Sequence, residues 1–366
     1  MTAVYHVETI GSLLRPQYLL DARVQRATRG ISDSAFKRLE DSAVDEAIRL
    51  QEGLNLEVIT DGEQRRYSFT DWLCEGVQGL SPVESLEFTA RGLNGRADIS
   101  MRSPVSVTDR LRAKRSTIGE EFVYARARAV KPIKVTLPSP LAYLIFIGEK
   151  TRSAYPDPFD LFHDAAVLLH RECQYLASLG CEYIQIDAPE LTWPGDPFLR
   201  QTAFPARGIS PDRFADEACA LFNIVTDVPN VRFGIHFCRG NSPTHAFSWG
   251  SYEAAAVKLF TGVKNASTFL LEYDDSRSGS FEILKEVPED KSVVLGLVAS
   301  TKNAALESPD ELIGRIDAAA HFFPRENLAL SPQCGFCSQL GFGGFSSAVQ
   351  EAKLRLVVEV ARRVWG

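Results

Sequence analysis

His236 and Cys238 carry the clearest chemical signal in this sequence. They sit two residues apart in Gly234-Ile235-His236-Phe237-Cys238-Arg239-Gly240. Val231 to Phe237 is a β-branched and aromatic run that breaks at Arg239-Gly240-Asn241-Ser242-Pro243, so it reads as a buried strand ending in a loop. Residues i and i+2 of a strand point to the same side. The imidazole and the thiol therefore project together from the strand's C-terminal end, and both are good zinc ligands. His-x-Cys alone is a weak motif. It gains meaning only if the chain supplies two further ligands at equivalent places.

The elements that must position such ligands follow a steady rhythm. His6 to Ser12 reads as a first strand, and Leu56 to Thr60 as a second, with Asp61-Gly62-Glu63 just beyond it. Between them, Ser32 or Asp33 caps a helix whose apolar residues Phe36, Leu39, Ala43, Val44, Ala47 and Ile48 follow the 3.6-residue period to Gly53. Further strands are expected at Ile133 to Leu137, Glu182 to Ile186, Val231 to Phe237, Ser267 to Leu271, Val293 to Val298 and Leu328 to Ser331. Helices are expected at Phe159 to Leu179, after Ser210-Pro211, over Tyr252 to Phe260, from the capping pattern Ser308-Pro309-Asp310-Glu311 to Phe322, and over Ser346 to Val364. Eight strands alternating with helices predict an α/β fold, a (β/α)8 TIM barrel, with a doubly wound open sheet as the alternative. The looser stretch 67–129 reads as an insertion after the second strand, with Val83 to Val107 as a β-hairpin. The whole chain, 1–366, reads as one domain.

Composition fits this. The 366 residues are 45% hydrophobic and 24% charged, as in ordinary globular proteins. A net charge of −7 speaks against nucleic acid or an anionic membrane as partner. No apolar run approaches the ~20 residues of a membrane span. Met1 to His6 shows no basic region followed by an apolar core, so a cytoplasmic location is expected, where clustered cysteines act as ligands or nucleophiles rather than in disulfides.

The barrel reading makes a strong statement about polar residues, because active sites in such barrels lie at the C-terminal ends of the strands. His236 and Cys238 end the fifth strand, Glu272 the sixth, and Cys334 follows the eighth. Four residues with zinc-ligand chemistry converge on one mouth. Cys334-Gly335-Phe336-Cys337 also has C-x-x-C spacing, but no thioredoxin-like helix start follows it. Cys334 is therefore read as the ligand and Cys337 as a bystander.

Here the chain resembles a family. HFC (236–238), LLEYDDSRSG (270–279) and SPQCGF (331–336) are similar to the zinc-binding segments of the catalytic domain of cobalamin-independent methionine synthases. ETIGS (8–12), ITDGEQRR (59–66) and YIQIDAPEL (183–191) extend the likeness in family order. The chain also resembles the related epoxyalkane:coenzyme M transferases. The resemblance implies zinc as cofactor and a small-molecule thiol plus an alkyl donor as partners. It implies that zinc holds the thiol as thiolate at neutral pH, with Glu272 the ligand that loosens as the sulfur arrives. Ile10, Gly11 and Ser12 match the backbone contact to the amino-acid carboxylate. Glu63 and Asp187 match the two carboxylates that hold its ammonium group, which favours homocysteine over a sulfonate thiol. For Glu63 the bland alternative is a salt bridge with Arg65, Arg66 or Arg15; for Asp187 it is a loop cap before Pro189.

Two departures bear on the donor. The folate-dependent synthases have an Asp-x-His element after the seventh strand, where this chain has Leu297-Val298-Ala299-Ser300-Thr301-Lys302. The Trp-Ser-Phe element after the third strand is replaced by Leu141-Ala142-Tyr143-Leu144. Both speak against methyltetrahydrofolate and towards a corrinoid or an epoxide. Lys302 and Tyr143 are the residues that remain to act as acids. The reading is a zinc-dependent S-methyltransferase converting homocysteine to methionine. An epoxyalkane:coenzyme M-type transferase, a zinc-water lyase or hydrolase, and a zinc-stabilised binding protein are the alternatives.

Overall fold

A computed structural model describes residues 4–93, 96–252 and 256–366. Its centre is a parallel sheet of β3 (Lys134–Pro138), β4 (Tyr183–Asp187), β5 (Arg232–Phe237), β7 (Ala266–Glu272), β8 (Ser292–Val298) and β9 (Leu328–Pro332), hydrogen-bonded in that order. These strands are buried almost throughout, as near-continuous apolar runs covered on both faces require. Parallel bridges Leu330–Val7, Glu8–Val58 and Ile59–Ile133 carry the pairing from β9 through two short extended segments to the start of β3. The six later strands thus form at the expected places, while the first two are reduced to single bridges.

The side chain of Gln51 explains the brevity of the second strand. Gln51 is fully buried at the end of helix Asp33–Gly53. Its Nε2 donates to the Thr60 carbonyl at 2.8 Å, and the Thr60 N–H donates to its Oε1 at 3.0 Å. A side-chain amide thereby replaces a neighbouring strand as backbone partner. Gly62 and Glu63, with φ of 69° and 53°, then turn the chain away.

The outer helices arise as their sequences predict. Ser32 accepts from the Ala35 N–H, and Phe36, Ala43, Val44, Ala47 and Ile48 form the buried stripe of helix Asp33–Gly53. Ser210 caps Pro211–Val225 through the Arg213 N–H, with proline at the first turn where no donor is lost. Ser308 makes no side-chain capping bond, so helix Pro309–Ala320 starts on proline rather than on a capping box. Of the helix expected over Tyr252 to Phe260, the described part is Ala256–Gly262; residues 253–255 lie outside the described residues. Among the described residues no helix is long and apolar enough to cross a membrane.

Within 67–129, β1 (Val77–Gly92) and β2 (Ile99–Ala113) form a long antiparallel hairpin, edged by the short β6 (His245–Ala246). Residues 94–95 lie outside the described residues. A helix, Thr117–Arg126, follows where the sequence looks merely basic and polar. Its Ile118, Phe122 and Ala125 join the main core, a short stripe masked by the surrounding charges. Trp72 and Leu73 anchor the segment before the hairpin in that same core, and the Phe69 N–H donates to the Ser338 carbonyl at 2.8 Å.

Candidate metal and substrate site

All strands of the sheet run the same way, so their C-terminal ends open on one mouth. His236 is the penultimate residue of β5, Glu272 the last of β7, and Cys334 lies two residues past β9. The ligand atoms of His236, Cys238, Glu272 and Cys334 all lie within 4.8 Å of one another, and all four residues are buried. The two sulfurs are 3.3 Å apart. Tetrahedral zinc with Zn–S bonds of about 2.3 Å places two thiolates roughly 3.8 Å apart, a few tenths more.

Neighbouring groups aim these atoms. His236 Nδ1 faces the Leu270 carbonyl at 3.2 Å, while its Nε2 is buried with no hydrogen-bond partner. A ring fixed through one nitrogen and orphaned at the other is the usual arrangement of a metal-binding histidine. Asn241 donates to both oxygens of Glu272, at 2.8 and 2.9 Å, and the Arg239 N–H adds a bond at 3.1 Å. Arg239 is itself fully buried over the Tyr252 ring and donates to Ser278, Gly250 and Arg277. It locks the loop after β5 to the loop after β7.

The electrostatics favour a cation. Hydrogen bonding to Cys334 and then burial push the Cys238 thiol well up, whereas the same bond holds Cys334 below its ordinary value, so the pair shares a proton. Burial acts to lower the His236 pKa, but Cys334, Asp187 and Glu272 outweigh it and raise it to about 9. A divalent metal would replace that proton and satisfy the orphaned nitrogen, both sulfurs and the carboxylate.

Ile10, Gly11, Ser12, Glu63 and Asp187 line the same cavity as His236, Cys238 and Cys334. A Cβ at Gly11 would lie 2.6 Å from Glu63 Oε1, so a larger residue there would displace that carboxylate. Glu63 Oε1 accepts from the Thr136 hydroxyl at 2.7 Å, and Oε2 is buried without a partner. Of the three arginines that might have neutralised Glu63, Arg15 donates to main-chain carbonyls and Arg65 pairs with Asp41. Only Arg66 comes near, at 3.7 Å, and its closer partner is Glu121 at 2.9 Å. Asp187 Oδ1 accepts from Gln185 at 2.6 Å. Burial raises the Asp187 pKa to about 6, against the lowering influence of His236.

Tyr143 and Lys302 are placed elsewhere. Tyr143 is fully buried, with its hydroxyl donating to the Leu73 carbonyl at 3.1 Å. Lys302 pairs with Asp274 at 3.0 Å and with Asp275. Neither is among the described residues lining the cavity. Sequence reasoning also missed Arg239 and Asn241, whose only signal is their place in the turn directly after His-x-Cys. It missed a second, apolar chamber of about 90 Å³ as well, which meets the first along Phe69, Pro189, Gly240 and Ser338. Phe88 and Met101 of the hairpin form part of its wall.

Residues 6–363 match the family model described as "Cobalamin-independent synthase, Catalytic domain". A Bacillus subtilis relative, named only as the uncharacterized protein YxjG, is 33% identical over 99% of this chain and 95% of its own length. The 5-methyltetrahydropteroyltriglutamate–homocysteine methyltransferase of Saccharomyces cerevisiae is 26% identical over 91% of this chain and 39% of that enzyme. Among solved structures, a B12-independent methionine synthase from Shewanella sp. W3-18-1, in complex with selenomethionine, superposes with a TM-score of 0.77 at 20% identity. The alignment covers 99% of this chain and 98% of that one. A putative vitamin-B12-independent methionine synthase from Listeria monocytogenes gives 0.73 at 24% identity, covering 100% and 99%. At these identities the two structures establish a shared fold.

Proposed function

Because this chain belongs to the family of the cobalamin-independent synthase catalytic domain, we propose that it is a zinc-dependent S-methyltransferase or alkyltransferase whose thiol substrate is homocysteine. The observation that carries this reading is the buried quartet of His236, Cys238, Glu272 and Cys334, opening onto a cavity that also contains Glu63 and Asp187. Zinc, when bound by the quartet, supplies a positive charge that makes a neighbouring thiol acidic enough to react near neutral pH.

The remaining work falls to the chain's own residues. Glu63 Oε2 and Asp187 receive the substrate ammonium group, and the segment Ile10–Ser12 faces its carboxylate. Asn241 and Arg239 keep the Glu272 carboxylate aimed inward as the thiol enters. The buried walls of the cavity keep water from competing for the alkyl group. Two carboxylates beside the thiol position repel a sulfonate, which ranks coenzyme M below homocysteine.

The test is loss of free thiol on incubating zinc-loaded protein with homocysteine and an alkyl donor. Turnover that stops on chelation and returns with zinc supports the reading. Hydrolysis or elimination proceeding without any thiol would replace it with a zinc-water enzyme.

A further inference from the structure

The apolar chamber next to the thiol cavity contains one acidic group that the reading above leaves unused. Glu190 lies in the loop after β4, three residues beyond Asp187, and is buried in the wall of that chamber. The Ser139 hydroxyl donates to its Oε1, which leaves Oε2 as the oxygen to carry a proton. Glu121, another buried glutamate, is ion-paired with Arg66; among the described residues no salt bridge reaches Glu190. Its neighbour Pro189 lines both cavities, so the loop that bears Glu190 forms part of the seam between them.

We propose that Glu190 is the acid that protonates the leaving group of an alkyl donor seated in the apolar chamber. This rests on the transferase reading. Phe88, Met101, Leu144, Phe247 and Phe342 surround the chamber, so the donor it takes presents an uncharged, apolar body. In the transfer the thiolate sulfur forms a bond to the donor carbon, and the carbon–leaving-atom bond breaks with its electron pair going to the leaving atom. Glu190 Oε2 gives that atom its proton and becomes a carboxylate, which solvent reprotonates. The substrate thiol's own proton is released when the thiol binds. Burial favours the protonated form of Glu190 and pushes its pKa up to about 7; the Ser139 hydrogen bond opposes this and the Asp187 carboxylate adds to it. This carboxyl fills the role for which the sequence offers no histidine, and for which Tyr143 and Lys302 are misplaced.

The experiment compares two donors with homocysteine and zinc-loaded protein. Epoxypropane leaves an alkoxide that needs a proton, and iodomethane leaves an iodide that does not. In Glu190→Gln the ratio of the epoxypropane rate to the iodomethane rate should fall by about 10²–10⁴-fold. The epoxypropane rate of the unmodified protein should decline as pH rises through about 7, and that decline should be missing in the variant. Equal loss with both donors, or an unchanged pH profile in Glu190→Gln, would overturn the assignment and make Glu190 a packing residue. If the unmodified protein binds zinc and homocysteine but alkylates it with neither donor, the transferase reading itself fails, and this assignment with it.

Discussion

Replacing Glu63 by glutamine removes one negative charge from the thiol cavity while keeping its shape. The amide oxygen can still accept from Thr136, as Oε1 does now at 2.7 Å. The amide nitrogen takes the place of Oε2, which is buried without a partner, so folding should not suffer. On the proposed function, what is lost is a charge-assisted hydrogen bond to the substrate ammonium, generally about 1.5–3 kcal/mol. Arg66 lies 3.7 Å from the Glu63 carboxylate and already offsets part of its charge, which favours the lower half of that range. At 1.4 kcal/mol per decade, a loss of about 1.5–2 kcal/mol weakens homocysteine binding roughly 10- to 30-fold. Calorimetric titration of the zinc-loaded protein with homocysteine measures this, with 4-mercaptobutanoate, the same molecule without its amino group, as control. The control should bind the variant no more weakly than it binds the unmodified protein. Equal losses for the two thiols, or no loss for homocysteine, would refute an ammonium site at Glu63.

Three further outcomes follow from the same geometry. Asn241→Ala strips Glu272 of two hydrogen bonds and should lower zinc affinity by about 10- to 100-fold, read by competition with a chelator; unchanged affinity would mean that Glu272 needs no such support. Gly11→Ala puts a methyl group 2.6 Å from Glu63 Oε1, so KM for homocysteine should rise with little change in zinc content. Gln51→Leu strands the Thr60 N–H and carbonyl and should cost about 2–4 kcal/mol in urea unfolding, and a loss below about 1 kcal/mol would show that Thr60 finds other partners.

The quartet was legible because strand geometry is simple. Parity on β5 puts His236 and Cys238 on one side, and parallel strands bring Glu272 and Cys334 to the same mouth. The later strands were readable for a related reason: runs such as Val293 to Val298 are apolar without interruption because both faces are covered. Arg239 was not legible. An arginine in a polar turn reads as solvent-exposed, and only the assembled loops reveal that the Ser278 hydroxyl and the carbonyls of Gly250 and Arg277 satisfy its guanidinium. Gln51 and Glu190 were hidden in the same way, since the sequence does not show which polar side chains are buried or what they then face. The helix Thr117–Arg126 was missed because its apolar stripe is short and lies among charges that point to solvent. The chamber beside the thiol cavity needs residues from the hairpin, from the loops after β3 and β4 and from the glycine-rich stretch near Phe342, which no local pattern connects.

His236, Cys238, Glu272 and Cys334 are held here to bind zinc and to present it to a substrate thiol. X-ray absorption at the zinc edge, on protein purified without added metal, addresses both points in one sample. The expected result is near-stoichiometric zinc with a mixed sulfur and nitrogen/oxygen shell containing two sulfurs. One sulfur should be added when homocysteine binds, and the metal should be lost when Cys238 and Cys334 are both replaced by serine in protein that remains folded. Zinc retained by that double variant, or a sulfur count that stays the same with saturating homocysteine, would contradict the assignment.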